Sequence, residues 1–142
     1  MAVSIYFQDV KRPYFVSSQR ISSWLGALAR QYGRSVEELN IVFMSDDELL
    51  KINQQFLQHD YYTDIITFDF SQENVVSGDL YISLDRVKDN ANKNASSLQN
   101  ETYRVIIHGV MHLCGYKDKK KNEILIMRQQ EEKCLSQIQN YF

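Results

Sequence analysis

Two histidines spaced four residues apart inside an apolar run restrict, more than any other feature, what this chain can fold into. His108 and His112 lie in the segment IIHGVMHLCGYKDKKK, which spans 106–121. Residues four positions apart stack on one face of an α-helix, and the apolar side chains around them require burial. Glycine commonly follows the last residue of a helix, as Gly115 does here. The segment therefore predicts a buried helix that ends near Gly115 and keeps one polar stripe.

The polar stripe of this helix carries the residue types of a metal site. Along 98–114 its members are spaced by three, four and four residues: Glu101, Arg104, His108 and His112. Imidazole nitrogens bind zinc at about 2.0–2.1 Å, and Cβ atoms four residues apart on a helix are about 5–6 Å from each other, so both rings can reach one ion. A single histidine would be better explained as a polar residue at the edge of the core, whereas the pair favours a metal site.

A catalytic zinc site needs a third protein ligand and leaves a fourth position open. Gly115 permits a sharp reversal after the helix, and Asp118 is the first metal-binding side chain in the turn that follows. Cys114 competes for this place, but it falls on the apolar face of the helix, where a thiol serves as a small buried hydrophobe. His59 can reach the site only through the fold. We therefore rank Asp118 above both as the third ligand.

Gly109 limits the chemistry of such a site, because it stands where the HExxH motif of metalloproteases has its general-base glutamate. A peptidase of that type is therefore not expected, while a metal can still activate water or polarise a phosphoryl oxygen. The segment 101–121 holds five basic and two acidic residues, a local charge of +3 in a chain of net charge −2. This basic segment can offset phosphate charge, or it can be an ordinary solvated surface. Asp64 and Asp79, at predicted strand ends, are candidate bases that can equally cap turns.

The rest of the chain alternates short strands and helices. Strands are predicted over 3–10, 39–45, 64–70 and 78–84, and helices over 17–33, 46–57, 85–95, 97–115 and 122–139. Ser17 or Ser18 and Ser45 are suitable N-caps for the first two helices, and Gly33 suits the end of the first. This order predicts an α+β fold, in which a small four-stranded mixed sheet is packed with about five helices.

Length and composition exclude several classes of protein. The 142 residues are enough for one substantial core, and a single proline with no linker indicates one domain over 1–142. No window approaches 18 consecutive apolar residues, so we expect no membrane span. The N-terminal segment lacks the pattern of a secretory signal. The two cysteines, Cys114 and Cys134, are then best explained as free thiols in a reducing cytoplasm.

Four segments resemble the conserved blocks of the YbeY proteins, a family of bacterial metal-dependent endoribonucleases. The longest is HGVMHLCGYKD (108–118), which is similar to the family motif H-G-x-x-H-L-x-G-Y-D-H. The others are INQQFL (52–57), YTDIITF (62–68) and GDLYIS (78–83), and all four follow the order of the family. The resemblance implies a zincin-like α+β fold, one bound Zn²⁺ and cleavage of single-stranded RNA.

The resemblance also implies a cellular role. Proteins of this family take part in processing the 3′ end of the 16S ribosomal RNA and in ribosome quality control. The expected partners are therefore ribosomal RNA and the small ribosomal subunit, in the cytoplasm, with neither DNA nor a membrane.

The chain departs from the family pattern at three positions. Asp118 stands at the family's third metal histidine, Lys117 replaces an aspartate, and Leu57 replaces an arginine that is thought to face RNA phosphate. Arg104, one turn before His108, is a geometric substitute for that arginine, although it can instead pair with Glu101 three residues away.

The predicted site consists of three metal ligands and one arginine. The predicted metal ligands are His108, His112 and Asp118, with one Zn²⁺ ion, and the predicted catalytic residues are His108, His112 and Arg104. A site of two histidines and one carboxylate adds a negative charge, which makes the metal less Lewis-acidic than three imidazoles would.

Two other functions fit the same motif. One is a non-catalytic, zinc-containing ribosome assembly factor, which a closed site with four protein ligands would favour. The other is a different metallohydrolase, such as a peptidase, against which the glycine after the first histidine argues.

Overall fold

The computed structural model describes residues 2–141 as a four-stranded sheet that carries five α-helices. In chain order the elements are β1 (Ala2–Phe7), α1 (Ser18–Gln31), β2 (Ser35–Met44), α2 (Asp46–Leu57), β3 (Ile65–Asp69), β4 (Val75–Ser83), α3 (Leu84–Lys93), α4 (Leu98–Leu113) and α5 (Lys121–Ser136). A short 3₁₀ helix, Ile138–Asn140, follows α5. The predicted α+β fold with five helices is confirmed.

The sheet is mixed, as predicted, and its strand order is β1-β2-β4-β3. β1 pairs with β2 and β2 with β4 in parallel, whereas β3 pairs with β4 in the antiparallel sense. Ile41 in β2 lies opposite both Ile5 in β1 and Leu80 in β4. The two central strands are therefore apolar where they cross the core, since Ile41 and Leu80 are fully buried.

Three predicted strand ends are wrong. β1 ends at Phe7 and not at Val10, because Asp9 adopts the left-handed conformation (φ 52°) and its carboxylate accepts hydrogen bonds from Ser45. β2 and β4 both begin earlier than their apolar residues predict, at Ser35 and Val75, because the two backbones already pair with each other there. Hydrogen bonding between distant segments thus extends these strands beyond their hydrophobic pattern.

Serine residues are the N-caps of the first four α-helices. Ser17, Ser45, Ser83 and Ser97 each accept a hydrogen bond from a backbone N–H in the first turn of α1, α2, α3 and α4. Each such cap stabilises a helix by about 1 kcal/mol. The predicted caps at Ser17 and Ser45 are confirmed, and Gly33 follows α1 with a φ of 69°.

α4 is the central helix, and most of its residues are buried. It packs against α3, α5, β3 and β4. Gly109 allows the close approach to the sheet, because a Cβ atom there would lie 2.8 Å from Ile65 Cδ1 and 2.8 Å from Leu80 Cδ2. The buried helix carrying the histidine pair is therefore confirmed, and its apolar face is the one that meets the strands.

The structure of residues 2–141 bears on two predictions, one about membrane-spanning helices and one about the cysteines. No helix in this range is both long and apolar enough to cross a bilayer. Cys114 and Cys134 are both buried and form no disulfide. The predicted free thiols are thus confirmed.

Candidate metal centre

The two histidines of α4 point toward the same space, as their spacing predicts. Their ring centroids are 4.6 Å apart with an interplanar angle of 82°, and the His112 Nε2 atom lies 3.1 Å from His108 Nε2. Both rings are partly buried, with about a quarter of each side chain exposed. One helix therefore supplies two nitrogen ligands at a point that remains accessible.

The turn after α4 brings Asp118 to the same point. Gly115 has a φ of 95°, which a residue with a side chain rarely adopts, and the Tyr116 backbone N–H then donates to the Met111 carbonyl at 3.0 Å. Asp118 Oδ2 lies 3.1 Å from His108 Nε2 and 3.4 Å from His112 Nε2. The reversal at Gly115 thus places a carboxylate oxygen beside both imidazole nitrogens.

The three ligand atoms are close enough to share one metal ion. Ligand atoms about 2.0–2.1 Å from a tetrahedral zinc are about 3.3–3.4 Å from each other, and the distances here are 3.1, 3.1 and 3.4 Å. Within residues 2–141, His108, His112 and Asp118 form the group of side chains able to hold a metal ion. The triad therefore fits a metal with three protein ligands and a fourth position free.

Hydrogen bonds to the far side of each ring fix the nitrogen that faces the triad. His108 Nδ1 lies 2.7 Å from Glu131 Oε2, and His112 Nδ1 lies 2.9 Å from the Tyr116 carbonyl oxygen. Both partners are acceptors, so both Nδ1 atoms donate and both Nε2 atoms present lone pairs in the neutral rings. Two lone pairs and a carboxylate oxygen within 3.4 Å repel each other unless a cation lies among them. The site is therefore built for positive charge.

The electrostatic surroundings of His108 also favour positive charge at the triad. Burial alone lowers the pKa of His108, but the hydrogen bond and charge of Glu131, together with Asp118, outweigh burial and raise it. The same field that favours a proton on this ring favours a divalent cation at its Nε2. A carboxylate behind a metal-binding histidine is also the usual device that orients such a ring.

Glu131 is the site residue that sequence reasoning missed. It lies on α5, is only 6% exposed, and shares the buried side of that helix with Met127 and Cys134. Acidic residues are rarely buried without a partner. An acid on the apolar stripe of α5 was therefore a signal in the sequence, although nothing in the sequence indicated that its partner would be His108.

Arg104 is held by three carboxylates. Its guanidinium lies 2.8 Å from Glu132, 3.5 Å from Glu131 and 3.6 Å from Glu101. The ion pair with Glu101, which was the alternative to a phosphate contact, is therefore present. Burial raises the pKa of Glu101 although Arg104 opposes this. Arg104 thus neutralises acids behind the triad while it also faces the adjoining cavity.

Neither of the two competing ligands joins the triad. Cys114 is 5% exposed, and burial raises its pKa to about 11, so the thiol is protonated and is a poor ligand at neutral pH. His59 stacks on Tyr61 and its Nδ1 lies 2.9 Å from the Tyr61 hydroxyl. Neither residue is in the group of potential metal-holding side chains.

Two open cavities meet at the triad. Their volumes are about 670 Å³ and about 740 Å³, and they share Asp64, His108 and Asp118. The smaller one, here called the α5 cavity, is bordered by Arg104, Arg128, Glu131 and Glu132. The larger one, here the loop cavity, is bordered by the 57–63 segment and by Lys117 and Lys119. The triad therefore lies where two open cavities adjoin.

Asp64 and Asp79, which the sequence left equivalent, occupy different surroundings. Asp64 borders both cavities, and burial raises its pKa while the charge of His108 opposes the increase. Asp79 instead accepts a hydrogen bond from Asn40 at 3.0 Å, on the neighbouring central strand. Asp64 is therefore the carboxylate that can act at the triad.

Comparisons with known proteins agree on one family. The family model described as "Endoribonuclease YbeY" matches residues 8–139. A curated protein named Endoribonuclease YbeY from Cytophaga hutchinsonii is 50% identical over 132 residues, covering 92% of each chain. Another of the same name from Parabacteroides distasonis is 43% identical over 136 residues, covering 96% of this chain and 95% of the relative.

A solved structure is also similar. The solution structure of TM1509 from Thermotoga maritima superposes with a TM-score of 0.68 at 25% sequence identity. The match covers 96% of this chain and 89% of that protein. The architecture described above is therefore one already found by experiment in a distant bacterial protein.

Proposed function

The chain belongs to the YbeY family of endoribonucleases, and from this premise we propose that it is a zinc-dependent endoribonuclease that cleaves single-stranded RNA. The observation that carries the proposal is the His108–His112–Asp118 triad at the meeting point of two open cavities. Its substrate is ribosomal RNA on the small subunit, processed at the 3′ end of 16S RNA and during ribosome quality control in the cytoplasm.

The Nε2 atoms of His108 and His112 and the carboxylate of Asp118 would hold the zinc ion. When bound, zinc activates water or polarises a phosphoryl oxygen for hydrolysis of the RNA backbone. Glu131 and the Tyr116 carbonyl keep the rings in the tautomer that this requires. With Asp118 as a ligand, the bound metal would be less Lewis-acidic than with three imidazoles.

The protein's own groups bind and orient the RNA. Lys117 and Lys119 are exposed on the loop cavity, where they offset phosphate charge. Arg104 borders the α5 cavity and is the proposed catalytic cation on that side, with its charge shared among three acids. Two open cavities that adjoin at the triad suit cleavage within a strand, because each can hold the RNA on one side of the cut bond.

Asp64 is the proposed proton acceptor for the attacking water. It lies between the two cavities, and its raised pKa makes it a better base than an ordinary surface carboxylate. Asp64→Asn should therefore lower the cleavage rate by about 10²–10⁴-fold. Asp79→Asn is the matched control, and it should keep near-normal activity because its bond to Asn40 can be retained by an amide.

The decisive experiment is cleavage of defined single-stranded and structured RNAs, with and without a chelator and with zinc restored. The wild-type protein should cleave the single-stranded RNA, lose activity with the chelator and regain it with zinc. His112→Ala should be inactive in every condition. Activity that survives both the chelator and His112→Ala would overturn the proposal.

Metal analysis of Asp118 variants tests the third ligand. Asp118→Ala should retain less zinc after dialysis than the wild type, because one of three ligands is lost. Asp118→His restores the ligand found in the family motif and should bind zinc at least as tightly as the wild type. An unchanged zinc content in Asp118→Ala would remove this residue from the site.

The two alternatives give other results in the same experiments. A zinc-containing assembly factor would bind RNA without cleaving it, but a structural site usually has four protein ligands, and the group found within residues 2–141 has three. A metallopeptidase would cleave a casein substrate. A glutamate at position 109, where such enzymes have their general base, would force the Ile65 and Leu80 side chains to shift, because its Cβ atom alone would lie 2.8 Å from each.

A further inference from the structure

We propose that His59 and Tyr61 form a stacking platform for one nucleobase of the RNA, beside the metal centre in the loop cavity. This inference rests on the proposed cleavage of RNA, and it adds a binding subsite with a defined ligand, the flat face of an unpaired base. The platform would hold the nucleotide next to the phosphodiester bond that is cut.

The two rings already form a stacked pair. Their centroids are 5.1 Å apart with an interplanar angle of 20°, and the Tyr61 hydroxyl lies 2.9 Å from His59 Nδ1. Both residues are exposed, Tyr61 by 56%, and both border the cavity that contains the triad. An exposed aromatic surface beside a reaction centre is available to stack on a planar ligand.

The segment that carries the rings is held in place. Asn53, which is 1% exposed, donates its side-chain amide to the Tyr61 carbonyl at 2.8 Å. The Asn53 carbonyl accepts from the His59 backbone N–H at 3.1 Å, after Gln58 turns the chain with a φ of 56°. Because the side chain of Asn53 holds Tyr61 and its backbone carbonyl holds His59, little ordering is needed when a ligand binds.

Aromatic rings combined with cations favour a nucleic-acid strand as the ligand. Lys117 and Lys119 border the same cavity, and proteins that bind single strands pair basic side chains with aromatic platforms. Among the described residues that line the α5 cavity, the one aromatic ring is that of His108, which belongs to the triad. The structure therefore assigns base stacking to one side of the cleaved bond only.

Stacking also accounts for a preference for single strands. A base in a duplex already stacks on its neighbours, so its face is not free for Tyr61. Since every base has such a face, recognition by stacking tolerates any sequence. The platform should therefore select unpaired RNA with little sequence preference.

Binding measurements on metal-free protein test the platform without depending on cleavage. The probes are a fluorescent ten-nucleotide RNA that carries 2-aminopurine and an oligomer of the same length with abasic positions. Tyr61→Ala should weaken binding of the RNA by about 5- to 150-fold and abolish the quenching of 2-aminopurine. Its affinity for the abasic oligomer should be unchanged, because the phosphate contacts remain.

Two further variants separate stacking from other effects. Tyr61→Phe keeps the ring and should bind within about threefold of the wild type. Tyr62→Ala is the matched control, because the Tyr62 ring packs against Arg86 and its hydroxyl donates to Asp47, away from the cavity. If Tyr61→Ala does not fold, His59→Ala should give the same selective loss for the base-containing RNA.

The outcomes distinguish the subsite from the proposed function. Equal affinities of wild type and Tyr61→Ala for the RNA, or equal losses for the RNA and the abasic oligomer, would overturn the subsite even if cleavage is observed. Selective loss in Tyr61→Ala, with no cleavage by the wild type, would support the subsite and overturn the nuclease. Quenching by the wild type that persists in Tyr61→Ala would also overturn the platform.

Discussion

Replacing Glu131 with glutamine tests whether the buried carboxylate behind His108 sets the affinity of the centre for zinc. The carboxylate lies 2.7 Å from His108 Nδ1, and its side chain is 8% exposed. Glutamine keeps the length and shape of the side chain, and its carbonyl oxygen can still accept the Nδ1–H bond. The substitution therefore removes the charge and leaves the orientation of the ring nearly intact.

The expected loss is tenfold to 100-fold in zinc affinity. Removing an acidic partner of a metal-binding histidine typically has this effect, which corresponds to about 1.4–2.7 kcal/mol. A Coulomb estimate for a negative charge about 7 Å from a divalent ion, at an effective dielectric constant of 20, gives about 5 kcal/mol. Since about a quarter of the His108 side chain is exposed to solvent, the effect should fall below that upper value.

Competition with a fluorescent zinc chelator at neutral pH measures this affinity directly. Glu132→Gln is the matched control, because Glu132 lies on the same helix and pairs with Arg104 at 2.8 Å but is 66% exposed. Its loss should change zinc affinity by less than about twofold. Thermal unfolding of both metal-free variants checks that the fold is retained.

Two results would refute the reasoning about Glu131. An unchanged affinity in Glu131→Gln would mean that the hydrogen bond to His108 does not tune the metal site. Equal losses in Glu131→Gln and Glu132→Gln would mean that the general negative charge of α5, and not the buried contact, attracts the ion.

Three other predictions concern the turn after α4, the two buried cysteines and the core beneath α4. Gly115 has a φ of 95°, which disfavours any side chain even though nothing lies within 4 Å of an added Cβ. Gly115→Ala should therefore lower the free energy of unfolding, measured in urea, by about 1–2 kcal/mol, and Gly115→Asn should lower it by less. Equal stability of the wild type and both variants would contradict this. Burial raises the pKa values of both cysteine thiols, that of Cys114 to about 11. Cys114 and Cys134 should therefore react with a thiol reagent at pH 8 only after the protein unfolds. Rapid reaction of the native protein would refute this prediction. Leu80→Ala should lower the free energy of unfolding by about 2–5 kcal/mol, because Leu80 is fully buried beneath Gly109. The folded variant should still retain its zinc, which metal analysis can establish.

The secondary structure could largely be predicted from the sequence because it depends on local patterns. Serine caps such as Ser45, the spacing of apolar residues and the glycine after α1 gave the correct order of strands and helices. The strand ends were predicted less well. Ser35 and Val75 belong to strands only because β2 and β4 pair with each other, and that pairing joins segments far apart in the chain.

Part of the candidate site is equally local. His108 and His112 share a face because they are one helical turn apart, and Asp118 returns to them because Gly115 reverses the chain after the helix. All of these residues lie within a single segment, so their relative positions depend on helix geometry and one turn. The triad therefore follows from the sequence without knowledge of the remaining fold.

The tertiary structure alone decided what surrounds the triad. Packing of α5 on α4 brings Glu131 to His108 and gives Arg104 two acids beyond the predicted Glu101. Asp64 directly precedes β3 and lies beside the site, whereas the antiparallel register places Asp79 opposite Phe68, toward the other end of β3, where it pairs with Asn40. Hydrophobic periodicity indicates which face of each element is buried, but it does not indicate which other element that face meets. Contacts within a helix and its turn are therefore determined by the sequence itself, whereas contacts between elements depend on packing across the whole fold.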